Sequence, residues 1–405
     1  MVHLRSSSRG VVILGGGYAG MVAAARLARR DGGGAQVTLV DARPHFHQRI
    51  RFHETLAGAA PATLPFAPAL ARRGVRFVQG RVESLDAALA RVAGRTAEGA
   101  PFELGYDHLV LALGSRTRAA VPGVAEHALR LDDPATLREA AGRLARLAAA
   151  GGRVLVAGGG LTGIEAATEV AARFPGLRVA LATAGRLGDG YAPRAELHFR
   201  ARLEELGVEL REGAVVREVD ADRAWLEGGE SLPSDLVVWC GGFEAPPLAR
   251  EAGLPTDACG RVRVDSALRV PGHPGVWAAG DAAVAEGPAG PLRMGCVSAL
   301  PLGAHAGTNV RRALRGEEPE PFGMAFALRC VSLGRRDGLV QFTAGDDAPR
   351  ERVWTRRPAA LVKETICRMT MNVVRGELRT GLPLYRWPRP GRAAGAGALV
   401  LEGAR

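Results

Sequence analysis

The chain has 405 residues, of which 47% are hydrophobic and 23% charged, which is enough for two or three globular domains and excludes a disordered protein. Its 53 Lys and Arg outnumber 42 Asp and Glu, giving a net charge of +11. It has no run of about 18 apolar residues, so no transmembrane helix is predicted, and residues 1–10 lack the apolar core of a signal peptide. Five scattered cysteines without CxxC spacing favour a reducing compartment, so we predict a cytoplasmic location.

A glycine-rich fingerprint follows the first strongly apolar run of the chain. Gly15, Gly17 and Gly20 come directly after Val11–Leu14, and an alanine-rich helical stretch follows. A strand, a tight glycine turn and a helix N-terminus in this order hold the pyrophosphate of a dinucleotide. Asp41 ends the next strand-like run, where an acid is expected to bind ribose hydroxyls.

The same fingerprint occurs a second time. Gly158, Gly160 and Gly163 follow the apolar run Val154–Ala157. Two such turns predict two dinucleotides, and a resident flavin with a visiting nicotinamide is the natural pair.

The second unit differs from the first where its acid should stand. The run 179–183 aligns with the run 37–41, so Thr183 takes the position of Asp41. Without an acid there, a 2′-phosphate is not repelled, and Arg186 is close enough in sequence to pair with one. The second dinucleotide is therefore predicted to be NADPH as readily as NADH. The equal alternative is that Arg186 is an ordinary loop arginine without a role in binding.

A histidine-rich segment, residues 45–58, follows the first unit. The spacing of His45, His47 and His53 matches no common metal site, so we predict no metal and expect the segment to face the flavin. Further along, the strand-like run 275–280 is predicted to turn into a helix at Asp281. An acid there can bind a flavin hydroxyl, and the alternative is a simple helix cap.

The pattern changes after about residue 322. Strands are predicted at 339–343 and 352–355, and a helix after Pro358. One face of that helix carries the apolar residues Val362, Ile366, Met369 and Val373, predicted to pack against the core, with docking on a membrane surface as the alternative. Residues 350–405 hold twelve Lys and Arg against four Asp and Glu, a charge that suits an anionic membrane or a solvated surface.

The order of fingerprint, buried strand, second fingerprint and Gly280-Asp281 resembles the pyridine nucleotide–disulfide oxidoreductase superfamily over residues 11 to about 310. The resemblance implies an α/β fold with two Rossmann-like dinucleotide-binding domains and a smaller C-terminal α+β region. The FAD domain would be split (1–118 and 246–322) by an inserted NAD(P)H domain (119–245), with a C-terminal acceptor region at 323–405.

The resemblance also implies the cofactors FAD and NADH or NADPH, and it assigns residues to each. FAD would be held by Gly15, Gly17, Gly20, Asp41 and Asp281, and NAD(P)H by Gly158, Gly160 and Gly163. Further FAD contacts are predicted for Tyr18, Ala19, Arg49, Val82, Gly114, Gly280 and Leu300. Further NAD(P)H contacts are predicted for Leu161, Thr162, Thr183, Arg186 and Gly241.

Within this superfamily the run Gly158–Glu165 looks like that of type II NADH:quinone dehydrogenases, in which the glutamate matching Glu165 lies beside nicotinamide and flavin. The chain departs from that family where paired glutamines are expected, because the matching stretch 297–303 reads VSALPLG. No close cysteine pair supports disulfide chemistry.

Lys363, the single lysine of the chain, is our candidate polar group near the flavin. Arginine is used at every other Lys or Arg position, so a lysine at this one suggests that a compact ammonium matters there. The predicted function is hydride transfer from NAD(P)H to FAD and then electron transfer to a quinone or quinone-like acceptor. The alternatives are a soluble reductase of a small metabolite and an NADH-sensing flavoprotein resembling apoptosis-inducing flavoproteins. Peripheral contact with the inner face of the membrane and a homodimer are open partner predictions, and no nucleic acid is expected.

Overall fold

The computed structural model describes residues 2–3, 10–28 and 34–390; the end of the basic tail, 391–405, lies outside them. The described α-helices are α1 (Tyr18–Leu27), α2 (Phe52–Leu56), α3 (Phe66–Ala71), α4 (Val124–His127), α5 (Pro134–Ala149), α6 (Leu161–Arg173), α7 (Pro193–Glu205), α8 (Leu248–Glu251), α9 (Cys296–Leu314) and α10 (Arg356–Thr380). The described 3₁₀ helices are Arg49–Arg51 and Gly280–Ala282.

The larger sheet is built around the first fingerprint. Its central strands are parallel and almost fully buried, because they carry the continuous apolar runs typical of a sheet covered on both faces. In spatial order the nine strands are Val2–His3, Pro101–Gly105, Arg91–Thr96, Arg76–Asp86, Gln36–Asp41, Gly10–Leu14, His108–Leu111, His273–Ala278 and Arg269–Val270.

The second fingerprint has a separate sheet of five parallel strands. In order they are Ala128–Arg130, Leu236–Trp239, Arg153–Ala157, Arg178–Thr183 and Glu209–Glu212. All of them lie in sequence between strands of the larger sheet. The α/β fold with two dinucleotide-type sheets is thereby confirmed, while the domain boundaries given above stay predictions.

Smaller sheets complete the described strands, and all of them are antiparallel except the parallel pair Val262–Arg263 with Ala283–Val284. One three-stranded sheet contains Val216–Val219, Arg223–Leu226 and Ser231–Pro233, and another contains Leu328–Ser332, Gly338–Thr343 and Pro349–Thr355. The strand pairs are Arg116–Thr117 with Phe243–Glu244, Val262–Arg263 with Ala283–Val284, Glu286–Gly287 with Gly290–Pro291, and His45–His47 with Thr63–Pro65.

Helices α1 and α9 cross in close contact beside the first fingerprint. A Cβ added at Gly303 of α9 would stand 2.2 Å from the Ala19 carbonyl oxygen, so only glycine permits this approach. The alanine-rich sequence of α1 serves the same purpose, since its small side chains let neighbouring backbones come near. Leu300 and Leu302 of α9 are buried in the core that this contact creates.

Helix α10 packs on the C-terminal sheet, but not through the predicted face. Val362, Ile366, Met369 and Val373 are only half-buried, and the prediction that they form the core face is wrong. The buried side is turned away from them and includes Cys367, Thr370, Met371, Val374, Glu377 and Leu378. Buried ion pairs set this orientation, because α10 must direct charged side chains toward partners inside the protein.

One of these pairs joins the two ends of the described chain. Glu377 of α10 is 1% exposed and accepts two hydrogen bonds of 2.6 Å from the guanidinium of Arg26 in α1. The Tyr385 amide donates to the same carboxylate at 2.8 Å. The paired geometry and the extra donor offset the cost of removing both charges from water.

Replacing Glu377 should therefore be strongly destabilising. We expect Glu377→Ala to lower the free energy of unfolding by about 3–5 kcal/mol, because Arg26 remains buried and uncompensated. Chemical denaturation of the FAD-loaded protein measures this. Glu227→Ala, which removes one partner of the exposed Arg217–Glu227 pair, is the control and should cost under about 1 kcal/mol. A loss equal to that of the control would contradict the role given to the buried pair.

Candidate active site

The first fingerprint has the geometry that a pyrophosphate site needs. Gly15 has φ +99°, and a Cβ there would lie 2.3 Å from the Ala112 carbonyl oxygen. A Cβ at Gly20 would lie 1.8 Å from the Gly15 oxygen, whereas Gly17, at the N-cap of α1, faces open space. The outer glycines thus pack the turn, and the middle one leaves room for a ligand at the helix N-terminus.

Asp41 lies beside this turn at the end of its strand. Its carboxylate accepts from the Gly16 amide at 2.7 Å and from the Arg43 amide at 2.9 Å. The acid is therefore held at the edge of the glycine loop, where a ribose of FAD would come. The residues present fit the adenosine half of this cofactor.

The structure places Asp281 differently from the predicted strand-to-helix turn. Residues Gly280–Ala282 form a 3₁₀ turn, and the next α-helix, α9, begins only at Cys296. The glycines and prolines of residues 287–295 favour turns, and a short hairpin of Glu286–Gly287 with Gly290–Pro291 forms between Asp281 and α9. The predicted helix start at Asp281 is wrong, yet Asp281 still serves α9, since its carboxylate accepts from the Gly295 amide at 2.7 Å.

Asp281 belongs to a cluster that also contains the predicted residue Arg49. The Ser115 hydroxyl donates to Asp281 at 2.8 Å, and the Arg49 guanidinium donates to the Ser115 carbonyl and to Asp132. Burial lowers the pKa of Arg49, although Asp132 and Asp281 favour its charged form. This cluster brings together residues far apart in sequence, beyond the carboxyl ends of two neighbouring parallel strands of the larger sheet.

The other predicted FAD contacts surround the same region. Tyr18, Ala19 and Leu300 are buried at the α1–α9 contact, and Gly280 has φ +71° with its would-be Cβ 2.9 Å from that of Ala19. Gly114 also has a positive φ and faces open space. Val82 is half-buried on the strand Arg76–Asp86. These assignments stay predictions.

The second fingerprint repeats the construction of the first. A Cβ at Gly158 would lie 2.6 Å from the Cys240 carbonyl oxygen, and one at Gly163 would lie 1.8 Å from the Gly158 oxygen. Gly160 caps α6 and faces open space, so a second pyrophosphate fits at the N-terminus formed by Leu161 and Thr162. Gly241 lies against the Trp239 ring, where a Cβ would stand 2.5 Å from ring carbon.

The predicted phosphate-pairing arginine is already paired. Arg186 is exposed and lies 2.9 Å from Glu196, which also contacts Arg200 at 3.0 Å. Arg200 in turn contacts Glu212 at 2.7 Å. Thr183 is buried at the end of its strand. A 2′-phosphate would therefore have to draw Arg186 away from Glu196.

Glu165 and Lys363, the two predicted catalytic residues, form a buried ion pair. The Lys363 ammonium lies 2.8 Å from Glu165 Oε1, and the Ser332 amide donates to the same oxygen at 2.9 Å. Burial opposes both charges, but Lys363 holds the pKa of Glu165 below its usual value, and Glu165 raises the pKa of Lys363 well above its own. The pair is charged at neutral pH.

Three cysteines lie close enough to Lys363 for its ammonium to act on them. Burial raises the pKa of Cys296 to about 11 and that of Cys367 to about 12, and it also raises the pKa of Cys330, although Lys363 opposes each shift. All three are free thiols that remain protonated at neutral pH. Protonated thiols are poor nucleophiles, so the arrangement offers no thiolate for disulfide chemistry.

The sequence did not predict which side chains of the histidine-rich segment lie near the Glu165–Lys363 pair or near α10. His53 Nδ1 lies 3.6 Å from Glu165 Oε2, and Gln48 donates to the Cys367 carbonyl and, at 2.9 Å, to the Thr370 hydroxyl of α10. The histidine-rich segment 45–58 was the only indication of them, and spacing alone could not show what each side chain contacts. Within the described ranges, no group of three His, Cys, Asp or Glu side chains is arranged to hold a metal ion.

Comparisons with known proteins agree with this geometry. Residues 9–303 match the family model of pyridine nucleotide-disulphide oxidoreductases. An NADH dehydrogenase-like protein of Mycobacterium tuberculosis (strain H37Rv) is 36% identical over 386 residues, covering 88% of this chain and 92% of its own length.

Two more distant relatives have quinone-related names. The demethylphylloquinone reductase of Synechocystis is 29% identical over 301 residues, covering 70% of this chain and 74% of the relative. The type II NADH:quinone oxidoreductase of Staphylococcus aureus (strain NCTC 8325) is 26% identical over 367 residues, covering 81% and 88%.

Two solved structures share the fold along almost the whole chain. The sulfide:quinone oxidoreductase of Aquifex aeolicus superposes with a TM-score of 0.78 at 19% identity, covering 93% of this chain and 92% of its own. NDH2 of Plasmodium falciparum, in complex with NADH, gives 0.77 at 13%, covering 92% and 96%. The chain belongs to the pyridine nucleotide-disulphide oxidoreductase family and is an FAD- and NAD(P)H-dependent oxidoreductase.

Proposed function

We propose that this oxidoreductase passes electrons from NADH, through FAD, to a quinone or quinone-like acceptor. The buried Glu165–Lys363 pair carries the proposal, because it joins α6, which follows the nucleotide fingerprint, to α10 of the C-terminal region. The names of the relatives from Synechocystis and Staphylococcus aureus support the same acceptor class.

FAD supplies the two-electron chemistry, and the protein supplies binding, orientation and charge. Gly160 and the N-terminus of α6 position the nicotinamide nucleotide by its phosphates. Asp41 and the Asp281–Ser115 cluster are the groups that would hold the flavin nucleotide when it is bound. None of these groups needs to exchange a proton for hydride transfer to occur.

Lys363 is suited to the acceptor half of the reaction. An ammonium has three N–H donors, and in the described part of the chain Glu165 and the Cys330 carbonyl, at 2.8 and 3.4 Å, account for two. The third can donate to a carbonyl oxygen of the acceptor and stabilise charge that develops there. Its raised pKa keeps the ammonium protonated through neutral pH.

The acceptor would enter near the stretch 299–302 and Tyr18. The stretch 297–303 stands where the type II class is expected to carry paired glutamines, and it contains no glutamine. The Tyr18 ring is 8% exposed, and its hydroxyl makes no hydrogen bond within the described residues, although Thr370 and Gln48 lie close to it. We assign Tyr18 as a second donor to the acceptor, in place of the missing glutamines.

Lys363→Ala should slow reoxidation by a quinone about 10²-fold while reduction by NADH stays nearly unchanged, because only the acceptor step loses its donor. Stopped-flow absorbance of the bound flavin measures the two steps separately. Lys363→Arg should restore the rate only in part, since a planar guanidinium cannot replace a compact ammonium. FAD content serves as the folding control, and equal slowing of both steps would contradict the assignment.

The choice between NADH and NADPH depends on the Arg186–Glu196 pair. We propose that NADPH is accepted when its 2′-phosphate competes with Glu196 for Arg186, since the acid that would repel it is replaced by Thr183. Because Arg186 must break an existing ion pair first, NADPH should bind no better than NADH.

Arg186→Ala should lower kcat/KM for NADPH roughly tenfold and leave that for NADH unchanged, because only the 2′-phosphate needs the guanidinium. Thr183→Glu should shift the ratio in the same direction by repelling the phosphate. Arg217→Ala, at another exposed and ion-paired arginine, is the matched control. Equal effects of Arg186→Ala on both nucleotides would show that Arg186 does not read the 2′-phosphate.

We propose that the exposed side of α10 contacts an anionic membrane surface. Leu361 on α10 is 68% exposed, and Leu382 and Leu384, which follow the C-terminal end of this helix, are 57% and 49% exposed. Arg368, Arg375 and Arg379 are exposed on the same helix. Apolar side chains flanked by arginines are typical of interfacial helices, which lie on a membrane without crossing it.

None of the described helices combines the length and the hydrophobicity of a transmembrane span. We propose, from the exposed leucines and arginines at α10, that the protein lies at the inner, cytoplasmic face of the membrane. The homodimer remains a prediction, which sedimentation velocity would test.

Wild-type protein should sediment with vesicles containing phosphatidylglycerol and not with vesicles of phosphatidylcholine alone. Leu361→Asp combined with Leu382→Asp should reduce that binding about tenfold or more, because two apolar contacts are replaced by repelled charges. Leu197→Asp is the control, since Leu197 is 67% exposed on α7. Equal loss with the control, or no binding by wild type, would oppose membrane docking.

A further inference from the structure

His53 is a buried histidine to which the proposed reaction gives no role so far. It lies on α2 and is 3% exposed, and its Nε2 makes no hydrogen bond in the part of the chain that the structure describes. A buried imidazole nitrogen without a partner costs free energy, so its position needs a reason.

A carboxylate stands on each side of the His53 ring. Nδ1 lies 3.6 Å from Glu165 Oε2, and Nε2 lies 3.9 Å from Glu54 Oε1. Both distances exceed the usual limit of about 3.2 Å for an N–H···O hydrogen bond by less than 1 Å, so proton transfer on either side requires the ring and the carboxylate to move closer together. An imidazole can take a proton at one nitrogen and release one from the other.

The groups beyond these carboxylates extend in opposite directions. Glu165 contacts Lys363 at 2.8 Å, on the side of the proposed acceptor. Glu54 contacts Arg335 at 2.9 Å, and the Arg335 side chain is 50% exposed. The groups therefore lead from solvent, through Glu54, His53 and Glu165, to Lys363.

The other charged groups near His53 have ion-pair partners of their own. Arg51, from the neighbouring 3₁₀ helix, pairs with Glu54 and Glu364, and Glu169 of α6 pairs with Arg335. Helix α5 packs against α2 with the apolar residues Leu137, Ala140 and Leu144. Glu54 and Glu165 are thus the acids positioned to exchange a proton with the ring.

The proposed reaction needs such a route. NADH gives up two electrons and one proton as a hydride, whereas a quinone takes two electrons and two protons to become a quinol. One proton per turnover must therefore come from water and reach the Glu165–Lys363 pair, whose side chains are only 10% and 14% exposed.

We propose that His53 is a proton relay, which takes this proton from Glu54 at Nε2 and passes it from Nδ1 to Glu165. Lys363 donates a proton to the acceptor oxygen and regains one through Glu165. Solvent then reprotonates Glu54 beside Arg335. The inference rests on the proposed function only in requiring an acceptor that takes up protons.

The test compares acceptors that differ in proton demand. NADH oxidation is measured with ubiquinone-1 and dichlorophenolindophenol, which take up protons, and with ferricyanide, which takes electrons alone. We expect His53→Gln to slow turnover with the first two roughly 10- to 100-fold and to leave ferricyanide turnover within about twofold. The solvent deuterium isotope effect with dichlorophenolindophenol should also rise.

Two further variants keep the result interpretable. Glu54→Gln removes the outer acid while keeping its volume, and it should show the same pattern even if His53→Gln fails to fold or loses FAD. His198→Gln is the matched control, because His198 is buried beside Asp337 at 2.9 Å in another part of the protein, and it should show no preference among acceptors.

The outcomes separate the relay from the proposed acceptor. If His53→Gln slows ferricyanide turnover as much as the others, or slows none while FAD content is normal, the relay is wrong. If wild type reduces dichlorophenolindophenol but not ubiquinone-1, the quinone proposal fails. The contrast between dichlorophenolindophenol and ferricyanide then still decides the role of His53.

Discussion

The ion pair between Glu165 and Lys363 is the interaction on which the site depends. Two charges taken out of water are costly, and they persist only when each is closely paired and hydrogen-bonded. Here the Lys363 ammonium comes from α10, and the Ser332 amide and the Cys330 carbonyl both come from the strand Leu328–Ser332, so two separate segments of the chain meet those needs. Moving α10 away would leave the buried Glu165 carboxylate without its cation, at a large cost in free energy. The pair therefore holds the C-terminal region against the nucleotide-binding helix.

The parts of the site that the sequence predicts well are those set by short segments. Gly15 and Gly158 have a positive φ, and Gly20 and Gly163 have no room for a Cβ against the oxygens of Gly15 and Gly158, so the turn itself favours glycine at all four positions. Asp41 follows one strand later and lies at the same loop. Asp281 shows the limit of this local reasoning, because the helix that it serves begins at Cys296, beyond a hairpin that the strand pattern did not reveal.

Contacts between segments that are distant in the sequence could not be predicted from such local patterns. The period of Val362, Ile366, Met369 and Val373 marks where apolar side chains recur, and it predicted the wrong core face for α10. The orientation of α10 is set by two of its charged side chains, because Lys363 must reach Glu165 and Glu377 must reach Arg26. Neither partner is near α10 in the sequence. A buried charge thus outweighs an apolar stripe, since an unpaired charge costs more than several half-exposed methyl groups.

The preference for lysine at position 363 follows from the same geometry. A guanidinium would engage both oxygens of Glu165 in its plane, which is the arrangement that Arg26 makes with Glu377. Such a fork would occupy Glu165 Oε2, the oxygen that faces His53 at 3.6 Å. An ammonium takes Oε1 alone and leaves Oε2 for the imidazole. In a chain that otherwise uses arginine, the single lysine thus leaves one oxygen of this carboxylate free to face a second partner.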